Sequence, residues 1–251
     1  MTIKFISTFL VAAAFCSCSN VSSALSNQKT VSSDSNSPIE TRNITVSKMS
    51  EIECARGVTV VYTQGASSSV SVSAPKDIAD YIWVEAKGSS LYCTVDKEYQ
   101  ITKGLNRVVV NVVSPKIKSF DASTSATIKI GDLDLGDNEL KIDATTAATV
   151  VIASVKCGGI DCDVSTAGSA SLSGINCSGT VDVAASTGAR AECEGVTDKV
   201  DFGASTGATI KALNLVAEKG EASASTGADI SCRVQYLNRS SSTGGSVSNK
   251  R

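Results

Sequence analysis

Hydrophobic and polar residues alternate with a period of two through the C-terminal half of the chain, and this alternation recurs about every 20 residues. Each recurrence is centred on a tetrapeptide close to Ser-Thr-(Gly or small)-(Ala or Gly). Its seven threonines are spaced 17 to 22 residues apart, at Thr124, Thr146, Thr166, Thr187, Thr206, Thr226 and Thr243. A fixed period of this length predicts a solenoid whose coils stack around a shared core.

The residues around each threonine predict which side of the coil is buried. Two and four residues after it the side chains are small or aliphatic, as in Ala126 and Ile128, and the residues between them are mostly polar. This alternation is typical of a half-buried β-strand. Nine residues after the threonine we expect a second buried strand on the far side of a turn, at Leu133, Val155, Ile175, Val196 and Leu215. We therefore predict an all-β fold, a right-handed parallel β-solenoid over residues 121–251 with coils of about 20 residues.

The tetrapeptides themselves are interpreted as structural. Their third residue is Ser125, Ala147 or Ala167 in the first three copies and glycine in the last four. Because three copies lack glycine, we do not expect a left-handed backbone to be required at this position. Small residues allow close stacking, and the β-branched threonine suits a strand. The alternative is an exposed hydroxyl surface that binds a ligand.

Residues 41–120 are expected to form an N-terminal β cap that closes one end of the solenoid. Pro75 at the start of residues 75–82 predicts one short helix, because proline is favoured in the first turn of a helix. The aromatic residues of this region are interpreted as core, with a sugar-binding face as the alternative: Tyr62, Tyr81, Trp83, Tyr92 and Tyr99. The predicted strands cover residues 52–63, 70–74, 82–86, 91–95 and 107–113.

The N-terminus has the pattern of an export signal. Lys4 precedes an apolar run over residues 5–14, and Ser17 is a small residue directly before Cys18. We expect residues 1–17 to be a lipoprotein-type signal peptide and Cys18 to be the lipid attachment site, with simple secretion as the alternative. Residues 18–40 are rich in Ser and Asn and are predicted to be a disordered tether. No acidic residue follows Cys18 directly, which favours the periplasmic side of the outer membrane over the cell surface.

Several segments resemble one protein family. They are residues 53–64 (Glu-Cys-Ala-Arg-Gly-Val-Thr-Val-Val-Tyr-Thr-Gln), 70–74, 91–95 and 108–115, followed by the small-residue repeats. Together they are similar in order to the auto-transporter adhesin head GIN domain family (DUF2807), which includes many Bacteroidetes lipoproteins. The resemblance runs from about residue 40 to the C-terminus. It implies a β-helical, adhesin-like domain and brings no catalytic residues.

Composition excludes several kinds of chemistry. The 251-residue chain has a formal net charge of −2, which gives no basic surface for nucleic acid. It contains no histidine, so Ser-His and Cys-His nucleophile pairs and imidazole metal sites are ruled out. Cys157 and Cys177 fall in the same repeat position of adjacent coils, so they could form a disulfide or remain buried free thiols. Cys193 and Cys232 share another position, but Ala212 stands between them.

Acidic residues recur in two repeat positions. One holds Asp161, Asp182, Asp201 and Glu221, and the other holds Asp121, Asp143 and Asp163. We interpret both as solvated surface; the alternatives are a cation site and catalysis of the kind that paired carboxylates perform in glycosidases. No catalytic, cofactor-binding or metal-binding residue is therefore assigned.

The sequence as a whole predicts a non-enzymatic cell-envelope lipoprotein. It would be an adhesin-like or scaffold module that presents a rigid surface to glycan or protein. It would have no cofactor, no small-molecule substrate and no nucleic-acid partner, and it would meet the membrane through its N-terminal lipid alone. The alternatives are a carbohydrate-active enzyme that uses acids such as Asp182 and Asp201, and an envelope structural or stress-response protein without a soluble ligand.

Overall fold

The computed structural model describes residues 28–250, and 66% of these residues are in β-strands. The fold is a β-solenoid of about seven turns with a spacing of about 20 residues, as the repeat predicted. The strands are β1 (Lys29–Ser32), β2 (Ile39–Ile44), β3 (Glu51–Cys54), β4 (Thr59–Gln64), β5 (Ser69–Pro75), β6 (Ile82–Lys87), β7 (Ser90–Val95), β8 (Tyr99–Lys103), β9 (Val109–Ser114), β10 (Ser119–Ala122), β11 (Thr127–Asp134), β12 (Glu139–Ala144), β13 (Thr149–Cys157), β14 (Gly159–Val164), β15 (Ser169–Ala185), β16 (Arg190–Ala204), β17 (Thr209–Ala224), β18 (Asp229–Ser241) and β19 (Ser246–Asn249).

Two series of parallel, in-register strands form the walls of the solenoid. The front sheet contains β7, β3, β10, β12 and β14, followed by the C-terminal halves of β15 to β18. The back sheet contains β9, β4, β11 and β13, the N-terminal halves of β15 to β18, and β19. From β15 onward one long strand bends from the back sheet into the front sheet, so the turn predicted there is replaced by register shifts within the strand.

The first coils do not stack in sequence order. The coil of β3 and β4 lies between the coil of β7 and β9 and the coil of β10 and β11. At the outer end β6 pairs antiparallel with β7, β5 with β9, and β2 with β5. This end of the sheet is therefore covered by short antiparallel strands, an arrangement that prevents a further parallel coil from adding.

Each tetrapeptide forms the corner between the front and the back sheet. In every copy the threonine has φ between +48° and +52° and the next residue has φ between +60° and +76°. The fourth residue donates its N–H to the first residue's carbonyl, as from Ala126 to Ser123 at 3.1 Å. Two positive φ angles and this hydrogen bond define a turn of the type I′ kind. The expectation that the third residue needs no left-handed backbone is wrong, and the threonine lies in a turn instead of a strand.

Hydrogen bonds between coils hold these corners in their unfavourable conformation. The third residue's N–H donates to the threonine carbonyl of the following coil, at 2.9 Å from Ser125 to Thr146 and 3.0 Å from Gly207 to Thr226. The same turn occurs once more at residues 55–58, where Arg56 has φ of +59° and Gly57 has φ of +75°. This corner splits the strand predicted over 52–63 into β3 and β4.

The core is a thin, continuous column of side chains between the two sheets. Ile128, Val150 and Ile210 have no exposed surface, as the alternation predicted. Val196 is an exception, since it is 53% exposed and Gly195 pairs with Ile175 in its place. Thr187 and Thr206, on either side of Val196, are 19 residues apart, so this coil is one residue shorter than the usual 20. The residue that pairs with Ile175 is therefore one position earlier than predicted.

Two expectations for the N-terminal region need correction. Residues 75–82 form a single 3₁₀ turn, Ala79–Tyr81, because Pro75 ends strand β5 and the remaining residues are too few to nucleate an α-helix. The tether predicted to reach residue 40 already contains β1, which pairs with β8, and the start of β2. The signal peptide and Cys18 lie outside the described residues.

The C-terminal coil carries a charge at an inward position. Arg239 pairs with Ala222, whose side chain is buried, and its Nη1 donates to the Val247 carbonyl at 3.4 Å. The Asn249 side chain bonds both backbone groups of Val234, at 2.9 Å to the N–H and 2.8 Å to the carbonyl. An inward charge on a terminal strand opposes the addition of another apolar coil.

Candidate functional site

The two acidic repeat positions lie side by side on the outer surface of the front sheet. Asp161 pairs with Asp182, Asp182 with Asp201, and Asp201 with Glu221. Neighbouring parallel strands lie about 4.8 Å apart, so this first acidic column brings like charges close together. The register predicted from the repeat is confirmed here.

A second acidic column runs parallel to the first, two residues further along each strand. Asp121 pairs with Asp143 and Asp143 with Asp163, and Glu53 extends the column toward the N-terminal end. Glu53 was missed in the sequence because the corner at Arg56-Gly57 was not recognised as a copy of the repeat. We call the outer surface formed by both columns the acidic face.

Partial burial and mutual repulsion perturb the carboxylates of the acidic face. Removal of water from Asp182, together with the negative charges of Asp201 and Asp161, raises its pKa to about 6. The same two causes, with burial the larger, raise the pKa values of Asp121 and Asp163. Lys141 partly offsets the repulsion, because its Nζ lies 3.5 Å from Oδ2 of Asp143. These carboxylates are therefore held close together at a cost in free energy.

A groove of about 920 Å³ opens where the second acidic column ends. After Asp163 the column continues as Ala184, with only a methyl group, and Gly203, with no side chain, which leaves a trough between Asp163 and Asp201. The far wall of the trough consists of hydroxyl groups from the first position of the tetrapeptides: Thr145, Ser165, Ser186, Ser205 and Ser225. The groove thus combines carboxylate acceptors with hydroxyl groups that both donate and accept hydrogen bonds.

The corner threonines directly follow the hydroxyl residues that line this groove and are not part of its lining. Hydrogen bonds at 3.0 Å link Gly188 to Thr206 and Gly207 to Thr226, which places the threonines directly above one another. The side chains of all seven corner threonines are exposed. The hydroxyl alternative is therefore compatible with the geometry, and the positive φ of the turn, which is unfavourable for a β-branched residue, gives no reason of its own for threonine at these positions.

The aromatic residues of the N-terminal region divide between core and surface. Tyr62 is buried and packs against Phe120, with ring centroids 5.4 Å apart. Trp83 is 51% exposed on β6 and stands opposite Thr94. Tyr92 lies beside Glu53, whose hydrogen bond and charge raise the pKa of the phenol. Tyr81 and Tyr99 are also partly exposed and stack on each other with ring centroids 4.3 Å apart, so the sugar-binding alternative excludes only the buried Tyr62.

The seven cysteines between residues 28 and 250 are buried and are free thiols. Cys157 and Cys177 pair in register, as predicted, and burial followed by the Cys177 neighbour raises the pKa of Cys157 to about 12. A second in-register pair, Cys54 and Cys93, was missed because the two coils are not consecutive in sequence. Burial also raises the pKa values of Cys54 and Cys93, so these two thiols and that of Cys157 stay protonated and unreactive.

Two further features concern metals and membranes. Within residues 28–250, no three acidic or thiol side chains converge closely enough to hold a metal ion. No helix in the same range is long and apolar enough to span a bilayer.

Residues 48–250 match the family model described as "Putative auto-transporter adhesin, head GIN domain" (DUF2807). The match covers more than half of the chain, and the protein belongs to this family. The resemblance noted in the sequence is thereby confirmed. No curated protein is similar enough in sequence to count as a match.

Solved structures from Parabacteroides share the fold. A P. distasonis crystal structure described as a "Putative lipid binding protein" has a TM-score of 0.76 at 18% identity and covers 89% of this chain and 100% of its own. A P. merdae "putative adhesin" has a TM-score of 0.70 at 16% identity and covers 88% and 99%. A second P. distasonis "putative adhesin" has a TM-score of 0.64 at 15% identity and covers 88% and 100%. These descriptions name adhesins and a lipid-binding protein, not enzymes.

Proposed function

We propose that the chain is a non-enzymatic, adhesin-like lipoprotein of the cell envelope that presents the acidic face to a glycan or protein partner. The observation that carries this proposal is the groove at the end of the second acidic column, where carboxylates and hydroxyls converge on a trough of about 920 Å³. Because the rigid stack keeps these groups at a fixed spacing, little conformational entropy is lost in ordering the surface when a partner binds. The family's adhesin description supports the same role.

The membrane attachment belongs to the same proposal. Cys18 would carry the lipid, and the solenoid would stand on the periplasmic side of the outer membrane. Replacement of Cys18 by Ser should move the protein from the membrane fraction to the soluble fraction and abolish the incorporation of labelled fatty acid. Unchanged membrane fractionation of the Cys18→Ser variant would contradict lipid anchoring.

The partner surface can be tested with a charge-removing double variant. Asp163→Asn with Asp201→Asn should abolish capture of envelope glycans on an array, or of envelope proteins from solubilised membranes. Lys129→Gln, on the outer surface of the back sheet, is the matched control and should retain full capture. Equal capture by both variants would show that the acidic face is not the binding surface.

The raised pKa of Asp182 beside Asp201 favours one alternative, a carbohydrate-active enzyme in which the protonated carboxyl acts as an acid. Release of new reducing ends from envelope polysaccharides, lost in Asp182→Asn, would support that alternative over adhesion. Capture of neither glycans nor proteins would favour the third candidate, a structural envelope protein without a soluble ligand.

A further inference from the structure

A separate pocket of about 360 Å³ lies near the N-terminal end of the solenoid, away from the corners. It is an open depression lined by residues at the end of β9 and in the segments that join β2 to β3, β4 to β5, β6 to β7, and β9 to β10. Its volume is that of about twelve water molecules in the liquid and falls within the range of small-ligand sites.

The pocket is largely apolar and its walls are held in place. The apolar residues of its lining are Met49, which is 6% exposed and packs into the core, and Pro115, which is exposed. The hydroxyl of Tyr62 donates to the Ser114 carbonyl at 2.9 Å, and the Gln64 side chain donates to the Pro115 carbonyl at 2.8 Å. The pocket is therefore formed before any ligand enters.

The charge at the mouth of the pocket is positive. Lys48 and Lys116 both line it, and neither forms an ion pair with any residue between 28 and 250. The described lining residues include no carboxylate. The charge of Lys116 acts on the nearby carboxylate of Asp134. The pKa of Asp134 is lowered chiefly by the Gly136 N–H and Lys156, with a smaller contribution from Lys116. Two exposed ammonium groups at an apolar opening suit a ligand with an anionic head and an apolar tail.

We propose that this pocket binds a single-chain fatty acid of medium length. The acyl tail would lie against Met49 and Pro115, and the carboxylate would lie between the ammonium groups of Lys48 and Lys116. The site is distinct from the acidic face, whose like charge would repel such a ligand. Whether the pocket binds a fatty acid therefore does not depend on the adhesin-like function.

The methionine content of the chain provides a direct probe. The sequence contains two methionines, Met1 and Met49, so a protein labelled with ¹³C-methyl methionine has one methyl signal inside the pocket. Titration with decanoate below its micelle-forming concentration should shift the Met49 signal along a saturable curve. Absence of any shift at millimolar decanoate would overturn the proposal.

Two comparisons separate the contributions of the head and the tail. Decanol, which lacks the charge, should bind at least about tenfold more weakly than decanoate, and the Lys48→Gln/Lys116→Gln variant should lose about tenfold for decanoate. Lys129→Gln, with an exposed lysine on the back sheet, should bind decanoate like the parent. Equal binding of decanol and decanoate, or an equal loss in both lysine variants, would overturn the assignment of the carboxylate to Lys48 and Lys116.

Blocking the pocket tests the position of the tail. Ser68→Phe places a ring at the lining from the loop between β4 and β5 and should abolish the decanoate-dependent shift. An unchanged far-ultraviolet circular dichroism spectrum would show that this variant is folded. Full decanoate binding by a folded Ser68→Phe variant would contradict the proposed tail position.

Discussion

Replacement of Asp182 by Asn should stabilise the protein at neutral and alkaline pH and have no effect in acid. Burial and the charges of Asp201 and Asp161 raise the pKa of Asp182 in the folded state to about 6, from an ordinary value of 3.8. A raised pKa for an acid means that folding disfavours its charged form. The stability that the protonated carboxyl provides is complete below about pH 3.8 and is lost as the pH rises through about 6.

The size of the effect follows from the two pKa values. The difference between 3.8 and about 6 corresponds to about 3 kcal/mol if the whole shift reaches the folding equilibrium. The Asp182 side chain is partly exposed, so water and salt screen a large part of this interaction. We therefore expect Asp182→Asn to raise the free energy of unfolding by about 1 kcal/mol at pH 8.

Urea unfolding of the parent and the variant at pH 4, 6 and 8 measures this difference directly. The variant should equal the parent at pH 4, gain part of the difference at pH 6 and gain all of it at pH 8. Asp198→Asn is the matched control, because Asp198 is exposed and lies outside both acidic columns. A gain that is the same at all three pH values, or a loss at pH 8, would refute the assignment of repulsion to the first acidic column.

Three other predictions test the core, the coil spacing and the end of the stack. Ile210→Ala should lower the free energy of unfolding by about 2–5 kcal/mol because Ile210 is fully buried, while Lys211→Ala should change it by less than about 0.5 kcal/mol; urea unfolding measures both. Gly220→Ala should destabilise the protein more than Gly207→Ala, because a Cβ at Gly220 would lie 2.4 Å from the Val200 carbonyl oxygen, whereas a Cβ at Gly207 would have no atom within 4 Å. A larger fall in melting temperature for Gly207→Ala would contradict this. Arg239→Leu should promote end-to-end association visible by sedimentation velocity, and a monomeric variant would show that the inward charge does not protect the terminal coil.

The repeat of small residues was enough to predict the stack, its spacing and its buried face. Ala126, Ile128 and the equivalent residues of later coils follow a period that no helix could produce, and their burial is the direct consequence. The same spacing located the acidic columns, because a residue at a fixed position in one coil lies over its counterpart in the next. Both results depend only on the local periodicity of apolar, polar and acidic residues, which can be read directly from the sequence.

The corner conformation could not be predicted from residue preferences. Threonine is β-branched and rarely adopts a positive φ, so a preference-based prediction places Thr206 in a strand. In the structure, hydrogen bonds to the neighbouring coils stabilise the positive φ angles of the corner, as in the 3.0 Å bond from the Gly188 N–H to the Thr206 carbonyl. The stabilising interaction is with the neighbouring coil, and therefore does not appear in the preferences of a single tetrapeptide.

The order in which the first coils stack could not be predicted from the local pattern of the sequence either. The coil of β3 and β4 lies beside β10 and β11, although the strands of the outermost coil, β7 and β9, come between them in the sequence. One signal was available, since Arg56-Gly57 followed by Val58, Val60 and Tyr62 repeats the corner and alternation of later coils. The groove itself follows from where Ala184 and Gly203 interrupt an acidic column, which requires the register of both sheets.

The distance between spin labels at Asn111 and Lys211 tests the stacked coils most directly. These positions lie on the outer surface of the back sheet and are joined by six pairings through Val61, Lys129, Val151, Ser171 and Glu192. Six strand spacings of about 4.8 Å predict a backbone separation of about 29 Å. Pulsed electron paramagnetic resonance should show one narrow distribution centred within about 2 Å of that value. A broad distribution, or a centre near 24 Å as expected if β4 were not inserted between β9 and β11, would contradict the fold on which the acidic face and both pockets depend.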